Sequence, residues 1–164
     1  MFVKPQPSQT AAAALRADRA LLVHPLGYRA GAAGQDIARL ANIMPPIGLA
    51  GLAAWLERQS IRTTIVDANA QPDALARMRE VLQDERPACV GFSCTTASFL
   101  DGVRLAAVAK AVLPGVRTVV GGPHASALQA AALAGFPALD FAVVGEGEQT
   151  FSELLAGGWE SPET

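Results

Sequence analysis

The stretch Pro87-Ala-Cys-Val-Gly-Phe-Ser-Cys-Thr-Thr-Ala-Ser98 joins a short apolar run to a polar turn. Ala88 to Phe92 follows a proline and is apolar throughout, which is typical of a strand buried on both faces of a parallel sheet. Ser93 to Thr96 then offer three hydroxyl groups and backbone N–H groups just before a helical pattern. Because ligands in open α/β sheets bind at the carboxyl ends of the strands, this turn is predicted to contribute to a binding site.

Four further apolar runs predict strands around this central one, at residues 20–24, 63–67, 116–120 and 139–144. Helical patterns occupy residues 46–56, 72–85, 99–113, 125–134 and 149–156. Strands that alternate with helices predict parallel βαβ units with right-handed crossovers. The predicted fold is a flavodoxin-like (Rossmann-like) α/β domain with a five-stranded parallel sheet in the order 2-1-3-4-5 and helices on both faces.

Two segments of this pattern are unusual. The connection from Pro25 to Pro45 has no clear periodicity and is predicted to be a lid or binding loop, since connections of about 20 residues are uncommon in compact domains. The helix at 46–56 is apolar on both sides and is therefore expected to be covered on two sides. The cover could be the N-terminal leader or a second copy of the chain, or a ligand or a following domain.

Composition narrows the possible partners. Hydrophobic residues are 51% of the 164 residues and charged residues 17%, so some apolar surface is expected to face a partner, another domain or a large ligand. The net charge of -2 argues against nucleic acid, which requires a basic face.

Cysteine use and hydropathy bear on the cell compartment. Cys89 and Cys94 are the two cysteines of the chain and form neither a disulfide framework nor a C-x-x-C metal site, which favours a reducing cytoplasm. The uncharged stretches are interrupted by turn residues, so no membrane span is expected. Residues 1–18 lack the apolar core of a signal peptide and are predicted to be a flexible leader.

In the predicted fold, the turns at 24–27, 93–96, 121–124 and 145–148 meet at one edge of the sheet. A phosphoacceptor receiver needs acidic residues after the first strand, an aspartate at the end of the third strand and a lysine at the end of the fifth. At these places the chain has His24-Pro25, Ser93 and Gly145-Glu146, which excludes this function. A flavodoxin would need a hydroxyl-rich loop after the first strand, where the chain has P-L-G-Y-R-A-G. Asp67 ends a strand, as the ribose-binding acid of dinucleotide sites does, but no G-x-G-x-x-G motif follows the first strand.

The turn sequences resemble a known family. V-G-F-S-C-T-T-A-S (90–98) followed by V-V-G-G-P-H-A-S (119–126) resembles the S-x-L and G-G segments of cobalamin-binding domains of the methionine synthase type. With P-P-I-G-L-A-G-L-A-A-W-L-E (45–57) and V-V-G-E-G-E-Q-T-F-S-E-L-L (143–155), the chain resembles the N-terminal cobalamin-binding module of radical S-adenosylmethionine enzymes. That family includes methylases and the anaerobic oxidative cyclase of the chlorophyll pathway.

The resemblance implies a set of binding residues. Ser93 corresponds to the serine that contacts the nucleotide tail of base-off cobalamin, and Gly121 with Gly122 to the glycine pair that lets the tail lie against the sheet. The full set of implied cofactor-binding residues is Ser93, Cys94, Thr95, Thr96, Gly121, Gly122, Pro123, His124, Gly145, Glu146 and Gly147. Two alternatives stay open: the glycine pair could form a tight turn without a ligand, and Glu146 could cap the following helix.

His24 is where the chain departs from the methionine synthase pattern. His24-Pro25-Leu26-Gly27 keeps the H-x-x-G spacing of the motif D-x-H-x-x-G, whose histidine ligates cobalt, but Leu22 stands in the place of the aspartate. A metal-bound histidine normally has an acceptor for its other ring nitrogen, and none is evident in the sequence. His24 is therefore not expected to ligate a metal, and the cobalamin is expected to be base-off and His-off.

The resemblance also implies a larger assembly. In the resembled enzymes S-adenosylmethionine and an iron–sulfur cluster act in a catalytic domain, and the three-cysteine cluster motif is absent from this sequence. The expected division is a leader at 1–18, a cobalamin-binding domain at 19–157 and a tail or linker at 158–164. The partner is expected to be a radical S-adenosylmethionine catalytic domain, in the same chain or as a separate subunit. The alternative is a degenerate Rossmann-like docking domain that binds no corrinoid.

Overall fold

A parallel sheet forms the centre of the computed structural model, which describes residues 14–27 and 45–157. In this part of the chain the five strands lie in the order 2-1-3-4-5, numbered along the sequence, so the predicted flavodoxin-like topology is confirmed. The strands are β1 (Arg16–His24), β2 (Arg62–Asp67), β3 (Pro87–Ser93), β4 (Arg117–Gly121) and β5 (Phe141–Ala142).

Helices cover both faces of the sheet, as the alternating pattern predicts. They are α1 (Ile47–Arg58), α2 (Ala74–Asp84), α3 (Phe99–Val112), α4 (Pro123–Leu128) and α5 (Glu148–Leu155), with a 3₁₀ helix at Gln129–Leu133. No described helix has both the length and the apolar character needed to span a lipid bilayer.

The alternation of side chains along the strands divides the core in two. Leu21 and Val23 of β1 pack with residues of α2, α3 and α4 on one face. Ala20 and Leu22 pack with α1 and α5 on the other face. Successive residues of a strand point to opposite faces, so a continuously apolar strand such as β1 supplies both cores.

Several boundaries differ from those predicted. β1 begins at Arg16 instead of Ala20, because exposed charged residues at its start still pair with the neighbouring strands. β5 is confined to Phe141–Ala142 at the edge of the sheet. The helix predicted at 125–134 is a short α-helix followed by a 3₁₀ helix, and the chain changes direction at Gln129, whose φ is +51°.

The helix α1 is covered by described residues on one side only. Leu49, Ala53 and Leu56 are buried against the sheet, whereas Ile47 is 73% exposed and Trp55 40% exposed. The expectation that this helix is covered on two sides is therefore not met by the described residues. Most of the predicted lid, residues 28–44, lies outside the described residues.

An ion pair anchors the segment that leads into β5. Asp140 accepts hydrogen bonds from the Lys110 ammonium at 2.7 Å and from the Thr118 backbone N–H at 2.8 Å. Partial burial raises the pKa of Asp140, but the hydrogen bonds and the charge of Lys110 outweigh it, so the net pKa lies below the usual 3.8. The pair fixes β5 beside β4 and thereby positions the turn at residues 145–148.

Replacing Asp140 with asparagine is expected to lower the free energy of unfolding at pH 7 by about 1–3 kcal/mol. A carboxylate with a lowered pKa stabilises the fold above its unfolded pKa and loses this contribution as the pH falls through its folded pKa. The difference between the two proteins should therefore shrink as the pH falls below 3.8. Urea unfolding at pH values on both sides of 3.8 measures it.

The matched control is Glu80→Gln, which breaks the exposed pair between Arg77 and Glu80. That change should cost less than about 0.5 kcal/mol at either pH, because exposed ion pairs contribute little. A loss for Asp140→Asn that does not depend on pH would contradict the assigned role of its charge.

Candidate functional site

An open groove lies on the α1/α5 face of the sheet, at its carboxyl edge, and has a volume of about 180 Å³. Its floor is formed by residues of β1, β3 and β4 and by Val143 directly after β5, and its walls by α1 and α5. The lining residues are Leu22, Gly48, Leu49, Leu52, Gly91, Phe92, Ser93, Val119, Gly121, Gly122, Val143, Gly145, Glu146, Gly147, Glu148 and Phe151. The floor and walls are mostly apolar, and the polar groups are gathered at the strand ends.

The structure brings six of the eleven predicted binding residues into this lining. They are Ser93, Gly121, Gly122, Gly145, Glu146 and Gly147. Ser93 and Gly121 are direct partners in the β3–β4 register. The Ser93 hydroxyl has no hydrogen-bond partner within the described residues, so it is free to bind a ligand.

Gly122 is required by the protein backbone itself. Its φ is +90°, and a Cβ there would lie 3.0 Å from both the backbone nitrogen and the oxygen of Cys94. The turns after β3 and β4 approach closely at this point, which favours glycine with or without a ligand. Gly121 differs, because a Cβ there would meet only Val143, at 3.9 Å. A tight turn without a ligand therefore explains the glycine at position 122 but not the glycine at position 121.

The last predicted turn is open. Gly145 has a φ of +76°, and a Cβ at this position would meet no atom within 4 Å. The Gly145 N–H donates to the Ser126 hydroxyl at 3.0 Å, which holds the turn next to α4. No side-chain hydrogen bond caps α5, and Glu146 lines the groove.

The other five predicted residues, Cys94, Thr95, Thr96, Pro123 and His124, are not part of the lining. The His124 ring packs on Phe99 with the centroids 4.3 Å apart, and its Nδ1 lies 3.2 Å from the Thr96 hydroxyl oxygen. The Thr95 hydroxyl is 3.2 Å from that of Ser98. The Thr95, Thr96 and His124 side chains thus contact neighbouring residues outside the lining.

The two cysteine thiols are buried in the core and do not reach the groove. Burial, and to a smaller extent the negative charge of Asp101, raises the pKa of the Cys94 thiol to about 12. Burial, and to a smaller extent the negative charge of Asp140, also raises the pKa of the Cys89 thiol. Both thiols are therefore protonated at neutral pH, which is unfavourable for nucleophilic or metal-binding roles. Cys94 contributes to the edge through its backbone.

Residues that sequence reasoning did not assign to the site form the floor and walls of the groove. A Cβ on Gly91 would lie 2.9 Å from the Phe151 ring and 3.0 Å from a Leu22 methyl group. Glycine at this position lets Phe151 of α5 lie directly on the sheet and close the inner end of the groove. On α1, Gly48 faces open space, with no atom within 4 Å of a Cβ built there. The apolar pattern of residues 47–56 is the feature of the sequence that could have indicated this wall of the groove.

A serine joins the two walls. The Ser152 hydroxyl accepts hydrogen bonds from Trp55 Nε1 at 3.0 Å and Gln59 Nε2 at 2.9 Å, and donates to the Glu148 carbonyl at 2.7 Å. Ser152 is 8% exposed, and its hydrogen bonds hold α1 against α5. The separation of the walls is therefore set by specific contacts as well as by apolar packing.

The expectation that His24 lacks a carboxylate partner is wrong. Its Nδ1 lies 3.0 Å from Oδ1 of Asp67, the residue paired with it in the β1–β2 register. The partner comes from the neighbouring strand instead of from position 22, which a motif search along one strand cannot detect. Asp67 also accepts from the Asn69 backbone N–H at 3.0 Å, which fixes the carboxylate.

Comparison with known proteins gives a consistent assignment. The family model of the B12 binding domain matches residues 36–155, more than half of the chain. An uncharacterized methyltransferase of Pyrococcus horikoshii is 33% identical over 111 residues, which cover 68% of this chain and 24% of the relative. The anaerobic magnesium-protoporphyrin IX monomethyl ester cyclase of Rubrivivax gelatinosus is 32% identical over 138 residues, which cover 84% of this chain and 24% of that protein.

The chain thus spans about a quarter of the length of each of these curated relatives. The matched region includes all the groove-forming turns after β3, β4 and β5, and both walls. With the sheet order, the open groove and the family match in agreement, the chain belongs to the B12-binding domain family.

Proposed function

We propose that the chain binds cobalamin in the base-off, His-off form and acts as the cofactor module of a larger radical S-adenosylmethionine methyltransferase or cyclase. The observation that supports this most is the open apolar groove, which has a free serine hydroxyl and glycine turns at its mouth. The nucleotide tail would lie in the groove between α1 and α5. The corrin ring would lie over the turns at the carboxyl edge.

The residues present fit this cofactor. A volume of about 180 Å³ exceeds the ~30 Å³ share of one water several times over and suits a flat bicyclic base. Leu22, Leu49, Leu52 and Val119 offer apolar contact to the base, and Ser93 offers a hydrogen bond at the mouth. The open turn at Gly145 would allow close approach of the corrin amides to the backbone.

The protein would position the cofactor and exclude water from its tail. Bound cobalamin would supply a cobalt that carries a methyl group, as in the enzymes that the chain resembles. The described residues contain no group of three histidine, cysteine or acidic side chains that could hold a metal ion. The S-adenosylmethionine and the iron–sulfur cluster of the proposed enzyme would belong to its catalytic domain.

Exposed apolar residues around the carboxyl edge support a large partner there. Ile47 is 73% exposed at the start of α1, Leu100 68% exposed near the start of α3, and Val144 47% exposed after β5. All three flank the proposed corrin position. The curated relatives are about four times longer than the aligned region, which favours a catalytic domain as the partner at this edge.

The purified chain is expected to retain cobalamin. After incubation with hydroxocobalamin and desalting, the visible spectrum should show bound corrinoid in a base-off form, in near-stoichiometric amount at micromolar protein. Absence of retained corrinoid at that concentration would contradict the proposal. It would instead favour the docking domain that binds no corrinoid.

Replacing Gly48 with leucine should block the groove without disturbing the fold. Gly48 is part of the lining, and a Cβ at this position meets nothing within 4 Å, so the wall can accept a larger side chain at the mouth of the groove. Replacing a helical glycine also favours the helix by up to about 1 kcal/mol. Cobalamin affinity should fall by about 100-fold or more, equivalent to ~2.7 kcal/mol, in equilibrium dialysis followed by absorbance.

Gly51→Leu is the matched control, because Gly51 lies on the same helix with open space around it but outside the lining. It should leave affinity within about twofold of the unmodified chain, since it adds the same side chain away from the groove. Equal effects of the two substitutions would place the tail elsewhere.

A further inference from the structure

A histidine–carboxylate pair adjoins the groove at the carboxyl edge of β1 and β2. Leu22 lines the groove, and His24 is two residues further along β1, so its side chain leaves the sheet on the same face. The last paired residues of β1 and β3 are Val23 and Phe92, which places His24 beside Ser93. The His24 side chain is 14% exposed, and that of Asp67 is 16% exposed.

The contact with Asp67 determines which ring nitrogen is available. An ionised carboxylate only accepts hydrogen bonds, so the Nδ1 that faces Asp67 at 3.0 Å carries a proton. In the neutral ring Nε2 is then an acceptor. Within the described residues Nε2 has no hydrogen-bond partner. The pair therefore presents one oriented, unused acceptor next to the Ser93 hydroxyl.

Asn69 also contacts this ring nitrogen. Its amide nitrogen lies 3.1 Å from His24 Nδ1 and 3.5 Å from the Pro25 carbonyl oxygen, to which it donates. The Asn69 amide oxygen is buried without a partner among the described residues. Because the Pro25 carbonyl favours the amide as it stands, Asn69 does not select the tautomer, and the assignment of the Nδ1 proton rests on Asp67.

We infer that His24 binds the ribose of the cobalamin nucleotide tail, accepting a hydrogen bond from a ribose hydroxyl at Nε2 while Asp67 positions the ring through Nδ1. This inference rests on the proposed function. In the proposed binding mode the tail would pass Ser93, and its ribose hydroxyls are donors that complement an oriented acceptor. His24 is the last residue of β1, so its side chain projects from the sheet itself and not from the loop that follows.

Two corrinoids separate this role from contact with cobalt or with corrin amides. Cobinamide has the same corrin ring, amides and cobalt as cobalamin but lacks the ribose, the phosphate and the base. Affinities of both for the full 164-residue chain can be measured by titration calorimetry. If His24 binds the tail, replacing it should lower the affinity for cobalamin and leave the affinity for cobinamide unchanged.

Two substitutions of His24 test the acceptor. In His24→Asn the side-chain amide can still donate to Asp67 but has no atom at the Nε2 position. We expect cobalamin affinity to fall about tenfold, which is the effect of one hydrogen bond of ~1.4 kcal/mol, with cobinamide affinity unchanged. In His24→Gln the amide oxygen can reach the Nε2 position, and part of the loss should be recovered. The visible spectrum of bound cobinamide should not change in either variant.

Several outcomes would overturn the inference. Equal losses for both corrinoids, or an altered spectrum of bound cobinamide, would assign His24 to the corrin or to cobalt. If cobalamin affinity is unchanged in His24→Asn, or if His24→Gln recovers none of the lost affinity, then Nε2 does not accept a hydrogen bond from the tail. Failure of the unmodified chain to bind either corrinoid is distinguishable from these results, because it would overturn the proposed function as well.

Discussion

Two backbone hydrogen bonds hold together the turns on which the site depends. The Cys94 N–H donates to the Gly121 carbonyl at 2.9 Å, and the His124 N–H donates to the Cys94 carbonyl at 3.1 Å. They extend the β3–β4 pairing beyond the regular strands, and Gly122 makes this approach possible because it has no side chain. The position of Ser93 and the open surface at Gly121 both follow from this interlock, since it fixes the end of β3 against the end of β4.

The order of the sheet and the location of the site could be predicted because both depend on local patterns. Apolar runs such as 88–92 and 116–120 are long enough to identify strands, and right-handed crossovers leave few arrangements of them. The edge strand β5 and the charged start of β1 were less predictable. The placement of β5 depends on the ion pair between Lys110 and Asp140, two residues that are distant in sequence.

The candidate site was only partly predictable for a related reason. Turn residues with distinctive chemistry, such as Ser93 and Gly121, can be recognised along the chain, so the mouth of the groove was anticipated. Its floor and walls consist of ordinary apolar residues and of Gly91, whose role depends on Phe151 some 60 positions away. The carboxylate partner of His24 likewise depends on the β1–β2 register. Contacts of this kind follow from tertiary packing and leave no motif.

The two walls of the groove differ in how firmly they are held. α5 is packed on the sheet through Phe151, Leu154 and Leu155, so it forms a fixed wall. α1 is packed on one side, exposes its other side to solvent and is joined to α5 by the hydrogen bonds of Ser152 near its C-terminal end. The N-terminal turn of α1, with Gly48, lacks such a connection among the described residues. In the proposed binding mode, entry of the cofactor tail would therefore require least rearrangement at that end, which is the end that faces the carboxyl edge of the sheet.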